Sequence, residues 1–461
     1  MKQWCKIFDE KFKNQIAIVD ENDLEITYGE LYQACFLLHN KIKESLGLKR
    51  RSVLLYLNPD ADFVISFFAI LMAGHTPFLV TMDLKNELES LSQHFDSVLT
   101  KSSYYDYLSK FIALDKLDIV EFEKEKGELS SYKDFVFDEN QAMFNSHSSG
   151  STGVPKLIPG TLKKFLKTTR GKTISQMVSS NDFVFSLAPF NHAYGFLVGV
   201  FIPFYYGSRI RIKNNGFSFQ DICNASVINE TTLVVSTPPV FKYLVEYMDT
   251  LPKNFFEKCR YFISSAAKLD ENIIEKFKEY FNLKIFEIYG STEGLIVGTR
   301  DTSQTLNWKI EEEIEWKVEA TQELLIKTHL RPNQEEEIWF STGDLVNILD
   351  ESKGIFELSG RLESFIKVKG VKVYVHEIEQ SLKQLPLIKE VVVIKHPAEE
   401  ESIAFIVPTE EGDPKKIERT IREFCSQKVA SSRIPNIIKI LSEIPRNKTG
   451  KVVLSDLKKL I

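Results

Sequence analysis

The sequence predicts an α/β fold in which a large N-terminal domain is followed by a small α+β domain. Short β-branched runs alternate with amphipathic segments over most of the chain, as in βαβ-type subdomains built on parallel sheets. Between Trp308 and Trp339, strand-like runs follow one another without a helix, which predicts a small β-barrel-like subdomain. After Gly360 the pattern becomes that of a compact α+β unit. We therefore expect one domain over 1–360 and a second over 361–461.

Hydrophobic periodicity and turn residues place the individual elements. In the N-terminal domain we predict helices at 28–45 and 270–280, and buried strands at 52–57, 183–187, 233–236, 261–264 and 284–288. The C-terminal domain should begin with a strand pair over 365–375 that turns at Gly370. It should continue with strands at 391–395 and 403–407 and with helices at 375–385 and 415–429.

Composition indicates the class of protein and excludes two classes of binding partner. The 461 residues suffice for about two to four domains, and 43% apolar and 26% charged residues are typical of soluble globular proteins. The formal net charge is −6. It argues against nucleic acids and anionic membranes as partners, because both require a large positive field. A local basic pocket for a phosphorylated ligand remains compatible with this charge.

Cysteine usage and hydropathy indicate the compartment. The five cysteines lie far apart, in no metal-binding spacing and no disulfide framework, which predicts a reducing, cytoplasmic compartment. The first ten residues lack the apolar core of a signal peptide. The most apolar segment, 63–80, is interrupted by Gly74 and Pro77 and is too short to span a bilayer. We expect a buried helix leading into a core strand there, and no stable membrane insertion.

The segment from Ser146 to Lys156, with the sequence SHSSGSTGVPK, carries the most chemical information. Its hydroxyl groups and glycines offer many donors on a backbone that a ligand can approach closely, and Lys156 adds a mobile positive charge. This is the chemistry of a polyphosphate cradle. The spacing from glycine to lysine differs from that of a Walker A loop. On composition alone, a flexible Ser/Gly linker is the alternative.

Two further motifs offer groups that suit a nucleotide. The sequence YGSTEG at 289–294 supplies an aromatic face for a base, two hydroxyl groups for phosphate and a carboxylate for Mg²⁺, although a plain turn is the simpler interpretation. The sequence STGD at 341–344 ends a predicted strand. Asp344 could cap a helix or turn, or bind the two hydroxyl groups of a ribose.

Two more motifs lie toward the C-terminus. The sequence GRLE at 360–363 coincides with the change of composition, and its alternative is a surface turn with basic residues. The sequence PRNKTGK at 445–451 reads as a polar loop, for which a basic tail is the ordinary interpretation. Each of these motifs is weak by itself. Their common order along one chain is the informative feature.

Together the five motifs resemble the adenylate-forming (AMP-binding) superfamily of acyl-CoA synthetases, luciferases and adenylation domains. The resemblance covers the chain from about Thr27 onward, and its most specific parts are SSGSTGVPK, YGSTEG, STGD, GRLESFIKVKG and PRNKTGK. It implies that the N-terminal domain holds the substrates and that the small C-terminal domain is mobile. Glu363 would be the hinge residue, at a position where the family often has Asp or Lys.

The resemblance also implies roles at the nucleotide site, with ATP as substrate and Mg²⁺ as cofactor. Residues implied to bind ATP or AMP are Ser148, Ser149, Gly150, Ser151, Thr152, Gly153, Lys156, Tyr289, Gly290, Ser291, Asp344 and Arg361. Among them, Tyr289 would stack on adenine and Asp344 would bind the ribose. Glu293 would hold Mg²⁺, and Thr292 would contact the α-phosphate.

At the reacting carboxylate, the resemblance implies two further catalytic side chains beside Thr292. Lys451 would reach in from the mobile domain to bridge the acid and the α-phosphate, and His192 would lie beside the carboxylate. The residues implied to line the acyl site are His192, Ser265, Ala266 and Gly290. Lys369 and Gly370 would line the tunnel for the thiol acceptor.

The implied reaction is ATP-dependent activation of a small-molecule carboxylic acid to an acyl-adenylate, followed by transfer to the thiol of CoA. Amino-acid-activating relatives place an Asp near 189–195, and this chain has none there, which favours an acid without an α-amino group. Transfer to the phosphopantetheine of an acyl or peptidyl carrier protein is the nearest alternative. A non-catalytic adenylate-binding protein is a third.

The chain departs from the family pattern at three places. Leu157 follows the phosphate-loop lysine where the family has glycine, and Val375 stands where the family has proline. The interval from Glu293 to Asp344 is short for the family. Because the motifs on both sides of it are intact, we expect activity to be retained and the rim near the nucleotide to be trimmed.

Overall fold

The computed structural model describes most of the chain. The described residues are 10–20, 22–80, 88–110, 112–113, 117–122, 142–148, 156–212, 230–251, 255–291, 293–330, 334, 336–362, 365–368, 371–396, 401–410, 412–428, 434–446 and 452–461. Their strands, in chain order, are β1 Ile16–Val19, β2 Glu25–Thr27, β3 Ser52–Tyr56, β4 Thr76–Leu79, β5 Ser97–Thr100, β6 Asp118–Glu121, β7 Ala142–Ser148, β8 Lys156–Thr161, β9 Phe183–Ser186, β10 Arg209–Arg211, β11 Leu233–Ser236, β12 Tyr261–Ser264, β13 Lys284–Ser291, β14 Leu295–Asp301, β15 Trp308–Ile310, β16 Trp316–Val318, β17 Glu323–Thr328, β18 Ile338–Asp350, β19 Ile355–Arg361, β20 Phe365–Val368, β21 Val371–Tyr374, β22 Ile388–Lys395, β23 Ser402–Pro408 and β24 Ile437–Ile440.

The helices of the described residues vary from one turn to five. In chain order they are α1 Tyr28–Leu46, α2 Ala61–Met72, α3 Leu88–Leu91, α4 Tyr105–Leu108, α5 Leu162–Thr169, α6 Lys172–Met177, α7 Ala193–Phe196, α8 Ile202–Tyr206, α9 Pro238–Glu246, α10 Glu271–Phe281, α11 Val375–Lys383, α12 Pro414–Lys428 and α13 Leu454–Lys458. A π-helical segment, Leu197–Phe201, joins α7 to α8. None of these helices combines the length and apolar character needed to cross a bilayer.

The chain divides into two compact units. The first unit runs through Leu306 and includes Glu311–Ile314 and Lys327–Ile338. The second unit consists of Asn307–Ile310, Glu315–Ile326 and Trp339–Ile461. Each unit has its own hydrophobic core.

Two sheets form the first unit. One has the strand order β6-β5-β3-β4-β7-β8, with five parallel strands and an antiparallel β8 at its edge. In the other, the strands follow in the order β14, β13, β12, β11, β9, β10, β1 and β2, and their pairing is parallel except between β13 and β14 and between β1 and β2. The predicted βαβ alternation is confirmed by these parallel pairings. They align the carboxyl ends of β9, β11, β12 and β13 along one edge of the sheet.

Alternating side chains distribute the first unit's core over the faces of the second sheet. Val234, Phe262 and Ile285 occupy one register row and pack with Phe241 of α9 and Phe277 of α10. The next row packs into the large core that also contains α1, α2 and the π-helical segment, and its members include Val235 and Ile263. Burial on both faces explains why these strands are continuous apolar runs.

The second unit is built from antiparallel strands and an α+β part. Strands β16-β17-β18-β19-β15 form the antiparallel sheet expected between Trp308 and Trp339, and β18 and β19 extend it to Arg361. The strand pair predicted at 365–375 is present as β20 and β21. A three-stranded sheet, β22-β23-β24, follows, and α11 and α12 cover one of its faces.

Candidate active site

The Ser/Gly-rich segment connects two antiparallel strands of the first unit. Ser148, at the end of β7, is paired in register with Lys156, at the start of β8. This pairing fixes both ends of the segment side by side, which suits a loop that closes around an anion. Residues 149–155 lie outside the described part, and they include five residues of the predicted phosphate loop, Ser149, Gly150, Ser151, Thr152 and Gly153.

Helix α5 begins directly after β8 and carries a buried lysine. Thr161 is the N-cap, and its hydroxyl oxygen accepts a hydrogen bond of 3.3 Å from the Lys164 backbone N–H. The Lys164 residue is only 4% exposed, and its Nζ donates to the backbone oxygen of Glu293 at 2.6 Å. Burial lowers the pKa of Lys164 to about 8, and the negative charge of Glu293 opposes that shift. No motif in the sequence marks this residue.

The YGSTEG motif forms the end of β13 and the turn into β14. The strand runs on through Ser291, three residues beyond the predicted strand end at Ile288. A register shift separates Tyr289, opposite Gly298, from Gly290, opposite Ile296. The Ser291 hydroxyl oxygen accepts a hydrogen bond of 2.9 Å from the Gly294 N–H, which closes the turn.

Position 290 must be glycine because the backbone of β14 passes very close to it. A Cβ atom added at this position would lie 1.7 Å from the backbone oxygen of Leu295. Leu295 itself has a φ of 58°, a left-handed conformation that a leucine rarely adopts. The turn therefore brings two strands of backbone unusually close beside Tyr289. Thr292 lies outside the described residues.

The predicted acyl-site residues of β12 lie beside the same strand. Ser265 follows β12, is 9% exposed and donates from its Oγ to the backbone oxygen of Ile288 at 2.7 Å. Ala266, the next residue, has a φ of 80°. Ser265 therefore lies next to the strand that carries Tyr289 and Gly290.

His192 lies at the N-cap of α7 and is half-buried. Its backbone oxygen accepts from the Phe196 N–H at 2.9 Å. Two residues later, the Tyr194 hydroxyl group donates to the backbone oxygen of Ser236 at 3.0 Å and lies 3.1 Å from that of Ile263. These contacts hold the His192 segment at the carboxyl ends of β11 and β12, the edge that also carries Ser265.

A buried ion pair that no sequence motif marks supports this edge. Glu287 on β13 and Arg300 on β14 are 1% and 2% exposed, and Arg300 Nε donates to Glu287 Oε2 at 2.7 Å. Glu287 Oε1 accepts from the Leu269 N–H at 2.8 Å. Burial raises the pKa of Glu287, and Arg300 opposes that shift. The signal in the sequence was a single acidic residue inside the apolar run of a predicted strand.

In the second unit, Asp344 pairs with Arg361. The two residues lie opposite each other on β18 and β19, and Arg361 Nε donates to Asp344 Oδ1 at 2.7 Å. Asp344 is 9% exposed, whereas two thirds of the Arg361 side chain is exposed. The predicted strand end at STGD is wrong: β18 continues to Asp350, because β19 pairs with it beyond Asp344. Asp344 is therefore a mid-strand residue and not a helix cap.

The remaining predicted site residues lie outside the described part of the chain. They are Thr292, Glu363, Lys369, Gly370 and Lys451. Arg446 and Val452, on either side of 447–451, form an isolated antiparallel β-bridge. Among the described residues, no group of three or more His, Cys, Asp or Glu side chains is arranged to hold a metal ion. A Mg²⁺ site at Glu293 would thus depend on one carboxylate together with phosphate and water oxygens, which Mg²⁺ accepts.

Known proteins resemble this chain over nearly its whole length. It is 25% identical to peroxisomal OPC-8:0-CoA ligase 1 of Arabidopsis thaliana, over 98% of this chain and 92% of that protein. It is 24% identical to the mitochondrial malonate–CoA ligase ACSF3 of Homo sapiens, over 96% of this chain and 89% of that protein.

Solved structures share the fold. ATP-bound MatB from Rhodopseudomonas palustris matches with a TM-score of 0.85 and 17% identity, over 99% of this chain and 98% of that chain. Two family descriptions match the sequence itself: the AMP-binding enzyme over residues 6–341, and the AMP-binding enzyme C-terminal domain over residues 377–451. The chain therefore belongs to the AMP-binding enzyme family, the adenylate-forming superfamily that its five motifs resemble.

Proposed function

We propose that the chain activates a carboxylic acid with ATP and transfers the acyl group to the thiol of CoA, releasing pyrophosphate and AMP. The observation that carries the proposal is the arrangement of the first unit. The β7–β8 hairpin that begins and ends the phosphate loop at Ser148 and Lys156 leads into α5, and Lys164 of α5 bonds to the turn after Tyr289. Family membership and relatives that are CoA ligases support the same reaction.

In the first step, a carboxylate oxygen attacks the α-phosphorus of ATP, and pyrophosphate leaves. The carboxylate becomes a good acyl donor because AMP replaces oxide as its leaving group. Negative charge gathers on the phosphates, so catalysis consists mainly of positioning and charge stabilisation. Lys156, Thr292 and Lys451 are the residues assigned to this task. Mg²⁺, held by Glu293, would neutralise further phosphate charge, and the half-buried carboxylate of Glu293 suits it.

In the second step, the thiol attacks the acyl carbon and AMP leaves. The residues assigned to the thiol tunnel are Lys369 and Gly370, and Glu363 is the assigned hinge between a domain over 1–360 and a mobile domain over 361–461. His192, Ser265, Ala266 and Gly290 are assigned to the acyl group. The proposed acid lacks an α-amino group, since the segment 189–195 has no carboxylate to pair with an ammonium.

A carrier protein is the second candidate acceptor. The 3,4-dihydroxybenzoate–[aryl-carrier protein] ligase of Bacillus anthracis is 28% identical to this chain, over 66% of the chain. A carrier protein presents the same phosphopantetheine thiol as CoA. The two acceptors therefore share the first step and differ only in what is recognised outside the thiol.

The test is acid-dependent exchange of labelled pyrophosphate into ATP, measured with aryl, short-chain, dicarboxylic and fatty acids. We expect exchange with at least one acid and none without acid, followed by AMP release when CoA is added. AMP release with a phosphopantetheinylated carrier protein, and none with CoA, would select the second acceptor. Exchange with no acid in the panel, from a protein that binds ATP, would contradict the enzymatic proposal and favour a non-catalytic nucleotide-binding protein.

A further inference from the structure

The position of Lys164 is energetically unfavourable for a charged lysine. It lies in the first turn of α5, where the helix dipole is positive and a cation is unfavourable. It is also 4% exposed, and lysines are almost never fully buried unless they are paired. A buried cation at the wrong end of a helix requires a partner that compensates for it, so its contacts indicate its role.

The partner is the main chain of Glu293. Lys164 Nζ donates to the Glu293 backbone oxygen at 2.6 Å, and the charge of the Glu293 side chain favours the ammonium form. The Thr328 hydroxyl group, at the end of β17, makes a longer contact of 3.4 Å to the same oxygen. Two side chains from different elements thus hold the peptide group of the residue assigned to Mg²⁺. The bond from the Lys164 ammonium is the stronger of the two, because it is charge-assisted.

Helix α5 is itself anchored by its other lysines. Lys163 Nζ lies 3.2 Å from His329 Nε2, and Lys167 Nζ forms an ion pair of 2.6 Å with Glu337. The helix begins where β8 ends, and β8 begins at Lys156 of the phosphate loop. Lys164 therefore links α5, the helix that follows the phosphate loop and β8, to the turn that carries Glu293.

We propose that Lys164 is a positioning residue that orients the Glu293 segment for Mg²⁺-dependent binding of ATP. The inference rests on the proposed function, since it takes the assignments of Glu293 and of the phosphate loop from there. Groups that orient a metal ligand affect metal affinity strongly, typically by about 10- to 100-fold. Loss of the ammonium would free the Glu293 peptide group and weaken the Mg²⁺ site without removing its carboxylate.

The experiment measures ATP binding to the full chain by calorimetry at stepped Mg²⁺ concentrations. Lys164→Met keeps the length and packing of the side chain and removes the charge. We expect the Mg²⁺ concentration for half-maximal ATP binding to rise about tenfold in this variant. Lys276→Met, at an exposed lysine of α10, is the matched control and should bind like the unmodified protein. Lys164→Arg, which keeps a cation, should give an intermediate value.

Thermal unfolding separates positioning from a structural role. Lys164→Met removes a desolvated charge and leaves the Glu293 oxygen with the Thr328 hydroxyl group as its donor, so we expect it to unfold within a few degrees of the unmodified protein. A Mg²⁺ dependence of Lys164→Met equal to that of the unmodified protein would overturn the inference alone. Absence of Mg²⁺-dependent ATP binding in the unmodified protein would overturn the proposed function and this inference together.

A second variant keeps the test decisive if Lys164→Met does not fold. Thr328→Val removes the weaker donor to the same backbone oxygen and leaves Lys164 in place. We then expect a smaller shift of the Mg²⁺ dependence in the same direction, with Lys164→Arg shifted further than Thr328→Val. Unshifted values in both variants would overturn the inference.

Discussion

At the scale of single residues, Gly290 shows how closely the backbone packs in the turn after β13. Because a Cβ atom there would lie 1.7 Å from the Leu295 oxygen, backbone must move to admit any side chain. We predict that Gly290→Ala displaces the turn beside Tyr289, lowers the unfolding temperature by several degrees and weakens ATP binding at least tenfold. The measurements are thermal unfolding with and without ATP and calorimetry of ATP binding.

The matched control for this exchange is Gly412→Ala. A Cβ atom at Gly412 would meet the Ile417 side chain at 3.4 Å, an ordinary contact, so this variant should unfold and bind ATP like the unmodified protein. If Gly290→Ala behaved like Gly412→Ala, the close approach of Leu295 would not be a constraint on the site.

Sequence motifs suggest candidate site residues, but they do not indicate the residues that support them. Ser265 and Asp344 are named by motifs, and the structure places Ser265 beside β13 and pairs Asp344 with Arg361. The supporting pair of Glu287 and Arg300 was not predicted, because it joins two strands across a turn and neither residue belongs to a motif. The role of Lys164 was not predicted either, because its partner lies more than a hundred residues away in the sequence.

At the scale of elements, buried apolar strands are the most predictable. The limits of β11 and β12 agree with the predicted 233–236 and 261–264, since both faces of these strands are covered. Strand β18 is longer than predicted, because Gly343 and Asp344 are weak strand formers and only the pairing with β19 carries the strand past them. Strand β7, with the polar sequence AMFNSHS, was not predicted for the same reason.

Helix α2 offers a pH test of an element's cap. Asp60 is its N-cap, and its Oδ1 accepts from the Phe63 N–H at 3.0 Å. Burial, with repulsion from Asp62, raises the pKa of Asp60 to about 6, whereas the unfolded value is about 4. The folded state therefore binds more protons between these values, and the contribution of Asp60 to stability falls as the pH rises through that window.

We predict that Asp60→Asn, which keeps a capping oxygen and removes the buried charge, gains stability relative to the unmodified protein as the pH rises. The difference between their unfolding temperatures should be more favourable to the variant at pH 7.5 than at pH 4.5. Asp270→Asn, at the exposed N-cap of α10, controls for the exchange of cap residue. A difference for Asp60→Asn that does not vary with pH would contradict a raised pKa at this cap.

At the scale of the whole molecule, the two compact units do not coincide with a single cut in the sequence. The segments Asn307–Ile310 and Glu315–Ile326 belong to the second unit although Glu311–Ile314 belongs to the first. Antiparallel pairing of β15 with β19 explains the membership of the first of these segments, since that pairing is not local in sequence. The boundary between 360 and 361 stays a prediction about function, because it concerns which part moves and not which strands pair.

A substitution at Lys451 tests whether the C-terminal domain serves the two half-reactions in two different orientations. If the C-terminal domain presents Lys451 only for adenylate formation, Lys451→Ala should lower pyrophosphate exchange by about 10²-fold or more, the loss expected when a charge-stabilising donor is removed. Release of AMP from a supplied acyl-adenylate by CoA should be unaffected, because a second orientation of the domain serves that step. Lys459→Ala, which removes an exposed lysine paired with Asp456 in the same unit, should leave both rates unchanged. Equal losses in both half-reactions of Lys451→Ala would mean that one arrangement of the domain serves both steps, and the proposed alternation would be wrong.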